Sequence, residues 1–377
     1  MDFTLSEEQE MLKTMARDFL TDKCPKTFVK AMEEDEKGYS PEIWAEMAEL
    51  GWMGLVFPEK YGGSEMSFLD LSVLLEETGR ACLPGPFFST VVLGGLPILD
   101  AGSDGQKQEY LPKIAGGEAI FTLALTEVGA GYDAASIRVK ATDEGDGYII
   151  EGTKLFVPDA AIADYMICVA RTDDKGAAED GITVFIVDAK SEGISTKVLN
   201  TIANDKQCEV VFNKVKVPKE NILGEPNKGW EIVRMIIEKA AVAKCCTMVG
   251  AMEMVLDMTV EYAKERKQYD QPIGAFQVIQ HYCANMAIDV DGSRFGTYRA
   301  AWMLSEGMPC HEEAAIAKSW INEAFERFIA LAHQIHGAIG VTIDHDLQYY
   351  TKRAKSAQLT FGNSDYLREI IAQEMGL

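Results

Sequence analysis

The side chains of this 377-residue chain best equipped to ligate a metal or act as nucleophiles are eight cysteines and five histidines. Their spacing argues against both uses. The cysteines stand singly or as the adjacent pair Cys245–Cys246, with no C-x-x-C, so neither a zinc site nor a disulfide framework is expected. The histidines are scattered, with no H-x-x-x-H or H-E-x-x-H, and no metal is expected. Buried free thiols in a reducing compartment are the simpler reading. A formal charge of −23 argues against nucleic acid as a partner, because phosphate neutralisation needs a basic face. A phosphorylated small ligand stays open, since it needs only a local basic pocket or a helix N-terminus.

Any chemistry must then come from how the chain's elements bring other residues together. From Leu5 to about Leu111 the pattern is helical. "LSEEQEMLKTMARDFL" repeats apolar residues at three- and four-residue steps, with Ser6 and Gln9 spaced as a capping box. Ser67 and Asp70 start "SFLDLSVLLEETGRAC" in the same way, after the Pro/Gly connector "FPEKYGG". From about Ala119 to Leu223, short β-branched or aromatic runs are broken by Gly, Asp and Pro at hairpin-like intervals. From Gly229 the helical period returns over 229–268, 272–305, 310–338 and 344–358, followed by a last short stretch. Such lengths imply a bundle with much of its surface buried between subunits. The expected class is α+β, with an N-terminal helical domain over 1–115, a central antiparallel β domain over 116–225 and a C-terminal four-helix-bundle domain over 226–377. The acidic, helical start reads as neither a signal nor a transit peptide. No run approaches the roughly 20 apolar residues of a membrane span, so a cytoplasmic location is expected.

Four phrases fall in order along this layout. They are "GLVFPEKYGG" (54–63), "LALTEVGAGYD" (123–133), "ERKQYDQPIGAFQVIQ" (265–280) and "QIHGAIGVT" (334–342). Together they resemble the acyl-CoA dehydrogenase family of flavoproteins over essentially the whole chain. The resemblance implies FAD held between the β domain and the bundle, an acyl-CoA substrate, a homo- or heterotetramer, and an electron-transfer flavoprotein as electron acceptor. It implies that Thr126, with the backbone of Ala124 and Leu125, edges the flavin, and that the Gly129–Gly131 turn allows close backbone approach. Phe156 stands in the family's flavin-edge W-x-T phrase, here Phe156-Val157-Pro158. Positions matching Arg266 and Gln277 reach the cofactor of a partner subunit, and the planar fork of an arginine suits a pyrophosphate. Gln334 and Gly337 serve the phosphates and adenosine end, while Asn363 and Asp365 close over the FAD. For Arg266 the plain alternative is a surface pairing with Tyr262 or Asp270, and for Asp365 a favourable place at a helix N-terminus.

The family's reaction removes the α-proton of an acyl thioester while the β-hydride goes to the flavin, so a carboxylate must lie against Cα. Its usual glutamate, in a Y-E-G-T phrase, falls on Phe361, within "TFGN". The position used by a minority of relatives falls on Ala240, followed by Ala241. Glu238 lies two residues before it and points roughly 160° around an ideal helix. A serine of the family's T-E-P-x-A-G-S-D phrase is Tyr132 here. The catalytic base is therefore unassigned. Phe361, Tyr132, Ser89 and Ala240 are expected to wall the acyl pocket, with Ser89 on the helix of "GPFFSTVVLG" (85–94). Glu127, Asp159 and Tyr132 are the candidates for the proton acceptor. Three readings stay open: a dehydrogenase for a cyclic or bulky acyl-CoA, a FAD-binding subunit whose sister chain supplies the base, and a different reaction on the same scaffold. A non-enzymatic oligomer of the same fold stands beside them.

Overall fold

The computed structural model describes residues 4–129 and 131–377. Helices α1 (Glu7–Lys23), α2 (Lys26–Glu34), α3 (Pro41–Glu49), α4 (Phe68–Ala81), α5 (Leu96–Ala101) and α6 (Asp104–Ala115) come first. Strands β1 (Phe121–Ala124), β2 (Lys140–Asp143), β3 (Gly147–Pro158), β4 (Tyr165–Arg171), β5 (Ile182–Asp188), β6 (Ile194–Val198), β7 (Gln207–Pro218) and β8 (Ile222–Leu223) follow. After α7 (Gly229–Glu265) comes a hairpin of β9 (Lys267–Gln268) and β10 (Gln271–Pro272). The chain ends with α8 (Gln277–Ser305), α9 (His311–His336), α10 (Leu347–Leu359) and α11 (Ser364–Glu374). Helical, then β, then helical is the expected class. Among the described residues, no helix is long and apolar enough to cross a membrane.

The chain packs as two compact units. The β-containing unit comprises residues 32–66 and 84–240. Its sheet runs β6-β7-β3-β2-β4-β5-β8, with β1 paired to β4. Most neighbours are antiparallel, as expected, but β1 runs parallel to β4 and β2 meets β4 in parallel at one residue pair, so the sheet is mixed. The chain between β1 and β4 includes β2 and β3, which gives the long connection that parallel pairing needs. The runs "YMICVAR" and "ITVFIVD" form β4 and β5, buried almost throughout, whereas β7 alternates buried and half-buried positions along its first half. Met166, Phe185, Val210 and Phe212 centre the core between them. The register of β3 against β7 slips between Lys154 and Val157, and Phe156 sits at that bulge with φ +53°.

The second unit is helical and comprises described residues within 1–31, 67–83 and 241–377. Both expected capping boxes are present, Ser6 with Gln9 and Ser67 with Asp70. Helix α4 packs on α1 and α8, while α9 packs on α8, α10 and α11. Between α7 and α8 the structure departs from the expected helix starting at 272. Tyr269 (φ +52°) and Asp270 (φ +64°) close the two-residue turn of the β9–β10 hairpin, and α8 begins only at Gln277.

Candidate active site

In the β-containing unit the segment after β1 is held from two sides. Leu155 N donates to Thr126 O at 2.8 Å, and Lys154 Nζ donates to Leu125 O at 3.0 Å. Lys154 has no exposed side-chain surface, and its Nζ also lies 2.7 Å from Glu127 Oε1. Glu127 in turn accepts from the backbone N–H groups of Arg138 and Val139 at 3.0–3.1 Å. This carboxylate is thus engaged in holding backbone, and so is poorly placed as a proton acceptor. Ala124 is buried, Leu125 half-buried and Thr126 exposed. Gly131, also exposed, donates its N–H to Ser136 Oγ at 2.8 Å; Ala130, inside the expected Gly129–Gly131 turn, lies outside the described residues.

Phe156 presents 55% of its surface, although a bulky side chain at positive φ is conformationally costly. Ser89 is buried at the start of a wide-turned helix (Ser89–Gly95), and Ala240 is fully buried in α7. Ser89 Oγ lies 2.5 Å from Asp159 Oδ2, so an acid does meet the helix that carries none of its own. Asp159 takes a left-handed conformation (φ +54°), and its N–H donates to Lys206 O at 2.7 Å. Tyr132 is half-buried.

In the helical unit Tyr262 and His336 stack with ring centroids 4.6 Å apart, and Tyr262 Oη donates to His336 O at 3.3 Å. This contact brings the end of α7, with Arg266 one turn on, to the end of α9, with Gln334 and Gly337. Arg266 is exposed, and its guanidinium has no partner among the described residues, so the surface pairing with Asp270 does not form. Gly337 has φ +63° and ψ −142°, with open space where a Cβ would point. Only glycine adopts that conformation readily. Gln277 and Gln334 are exposed.

Asn363 accepts the Tyr366 N–H at 2.9 Å as the N-cap of α11. Asp365 is 96% exposed, in the first turn of that helix, with Arg368 3.8 Å away. Both arrangements are what a helix start requires. Phe361 is half-buried with φ +58°, between the end of α10 and Gly362.

Residues 6–118 match the acyl-CoA dehydrogenase N-terminal domain, 122–215 the middle domain and 227–376 the C-terminal domain. The chain belongs to the acyl-CoA dehydrogenase family. It is 33% identical to the probable acyl-CoA dehydrogenase YngJ of Bacillus subtilis (strain 168) over 381 residues, covering 100% of both chains. The butyryl-CoA dehydrogenase structure from Megasphaera elsdenii superposes with a TM-score of 0.93 at 31% identity, covering 100% of both. A chain of the ChsE4–ChsE5 complex from Mycobacterium tuberculosis superposes with a TM-score of 0.91 at 27% identity, covering 100% of this chain and 99% of that one.

Acyl-CoA dehydrogenases are FAD-dependent oxidoreductases acting on CH–CH donors, and this sets the class of the chain. Taken unit by unit, the chemistry is compatible with such a cofactor. In the helical unit the Arg266 guanidinium has no partner among the described residues and Gly337 leaves open space, as a pyrophosphate requires. In the β-containing unit Phe156 is an exposed aromatic, as a flat ring requires.

Sequence reasoning missed the lysines that organise these segments. Lys154 is 27 residues from Glu127, a separation without local periodicity. Lys318 sits in the apolar phrase "AAIAKSWINEAF" with no exposed surface. A charge at a core-facing position was the available signal. None of the eight thiols is in a disulfide, and seven are buried. Burial pushes the Cys168 thiol up to about 11 and Cys245 to about 12, so these stay protonated and unreactive.

Proposed function

We propose that the chain dehydrogenates the α,β-bond of an acyl-CoA thioester whose acyl group is cyclic or otherwise bulky, with a base at neither 361 nor 240. When bound, FAD supplies the acceptor for the β-hydride. The chain's own part is to orient the thioester, exclude water and take the α-proton. The observation carrying this reading is Phe361, an aromatic in a left-handed turn at the position of the glutamate in the family's usual Y-E-G-T phrase. A ring there narrows the site and removes the proton acceptor together. The Ser89–Asp159 pair supplies an acid at the proposed acyl end, and Asp159 is our choice for the proton acceptor.

The test is an anaerobic titration of the purified chain with straight-chain, branched and cyclic acyl-CoAs, following the visible absorption of the flavin. One class is expected to bleach it. Asp159→Asn is expected to slow that bleaching by about 10²-fold or more, with flavin content unchanged. An unchanged rate would remove Asp159 from the reaction. Arg266→Ala is expected to weaken FAD retention by about 10- to 100-fold, the value of a charge-assisted bond, as read by the Kd of the apoprotein for FAD. An unaltered Kd would return Arg266 to the plain surface.

A second reading is supported by the ChsE4–ChsE5 complex, in which two differently named chains assemble. Here the chain binds FAD and a sister subunit supplies the base. A yellow protein that no thioester bleaches alone, but that responds after addition of a co-purified partner, would select it. Either way we propose a tetramer, homomeric or heteromeric. Exposed Ile288, Phe295 and Trp320 on α8 and α9 support subunit burial there. An electron-transfer flavoprotein as acceptor and a cytoplasmic location complete the proposal, the latter in keeping with eight thiols outside any disulfide.

A further inference from the structure

Lys318 on α9 is fully buried, and among the described residues it has no carboxylate partner. Its three donors meet three acceptors: Asn322 Oδ1 at 2.5 Å, Ala357 O at 2.8 Å and Gly362 O at 3.4 Å. Burial lowers the ammonium to about 8, and the three acceptors around it favour the charged form. Asn322 adds a second tie, donating from Nδ2 to Gly362 O at 3.3 Å. Its own carbonyl accepts from Gln358 Nε2 at 2.6 Å. Helix α9 therefore grips the last turn of α10 and the loop beyond it at several points.

What lies in that grip is a strained segment. Phe361 (φ +58°) and Gly362 (φ +115°) are successive positive-φ residues, and the first is a bulky aromatic that disfavours the conformation. A Cβ on Gly362 would lie 2.9 Å from the Leu367 side chain, so the loop also packs closely on α11. Strain of this kind persists only where the surroundings over-determine it. The bonds that do so here converge on the carbonyls of Ala357 and Gly362. An apolar residue at 318 would leave those buried carbonyls short of donors.

We propose that Lys318 and Asn322 are positioning residues that lock the 357–362 backbone and so fix where the Phe361 ring stands in the acyl site. The proposal rests on the reading that residue 361 walls that site. It accounts for a buried cation without a carboxylate partner among the described residues, since its acceptors are two backbone carbonyls and the Asn322 amide oxygen. It also makes the placement of the aromatic a property of α9, 43 residues upstream in sequence by the difference of 361 and 318.

The test compares the flavin-loaded wild type with Lys318→Met, Asn322→Ala, Phe361→Gly and the Lys318→Met/Phe361→Gly double variant. The first readout is amide hydrogen exchange of a peptide covering residues 357–363. Lys318→Met is expected to speed it by about tenfold or more, with α8 little changed. The second is the apparent Kd for butyryl-, octanoyl- and cyclohexanecarbonyl-CoA, read from the flavin spectrum. Lys318→Met is expected to weaken the preferred thioester by about tenfold at constant flavin content, because a shifted wall misplaces the ligand. In the Phe361→Gly background, where no ring needs placing, the same change is expected to leave thioester affinity unmoved. Unchanged exchange over 357–363 would overturn the lock. Faster exchange with unchanged thioester affinity would overturn its role in the site. Should Lys318→Met not fold, Asn322→Ala carries both readouts. If no thioester perturbs the wild-type flavin, the acyl-site reading fails and the proposed role of Phe361 fails with it, while the exchange result separately decides the backbone lock.

Discussion

Phe361→Glu is expected to raise the anaerobic bleaching rate with a straight-chain acyl-CoA by about 10²-fold or more, the usual contribution of a positioned general base. The expectation follows from how residue 361 is held. Residue 361 has φ +58°, and the Lys318 bonds to the Ala357 and Gly362 carbonyls on either side of it do not involve the phenylalanine ring. A glutamate would inherit the same backbone. It would pay no more for positive φ than phenylalanine does. Position 361 is half-buried, so a carboxylate there keeps some solvation and need not be paired to remain charged. The gain should come with weaker binding of bulky acyl groups, since the ring proposed to pack against them is gone. The measurement is a rate of flavin bleaching with butyryl-CoA and octanoyl-CoA at matched flavin content. A flavin-replete variant inert to both would mean that the departures at Tyr132 and Phe156-Val157-Pro158 have reshaped the site beyond one residue.

The outcome bears on how much of this protein is legible in its sequence. Features set within one turn of helix read correctly. The capping boxes at Ser6 and Ser67 are spacing rules, and the buried strands β4 and β5 are continuous apolar runs. The misread elements depend on partners far along the chain or on turn chemistry. The parallel pairing of β1 with β4 is decided by the route of the chain between them, which no local pattern encodes. The sequence pattern breaks the helices only at 269–271, where Tyr269 and Asp270 adopt left-handed values that this pair does not advertise as Asn-Gly would, and α8 begins five residues later than expected, at Gln277.

The site divides the same way. Arg266 and Gly337 are expected from short phrases; an Arg266 guanidinium without a partner among the described residues and the open space at Gly337 are compatible with the roles proposed for them. Asn363 and Asp365 sit at a helix start whose capping and dipole already explain them. The buried lysines and the Ser89–Asp159 contact join residues 27 to 70 apart, and only the folded chain displays them.

Lys154→Met is expected to cost about 3–5 kcal/mol of stability, because it strands one half of a buried ion pair. Lys154 has no exposed side-chain surface and Glu127 has 8%, with 2.7 Å between the charges. Removing the lysine leaves the Glu127 carboxylate with only the Arg138 and Val139 N–H groups, and takes the side-chain donor from Leu125 O. Both losses fall on the segment proposed to edge the flavin, so FAD retention should decline along with the denaturant midpoint. A double variant, Lys154→Met with Glu127→Leu, distinguishes charge from packing. It removes the uncompensated anion, so it should recover part of the loss even though two backbone donors lose their acceptor. Recovery in stability without recovery in FAD retention would place Lys154 and Glu127 as holders of the 124–127 backbone and not merely as a packed pair. If the single variant unfolds at the wild-type denaturant concentration, the pair contributes nothing measurable, and the order of this segment must come from the Leu155–Thr126 backbone bond and the Arg138 and Val139 N–H bonds to Glu127.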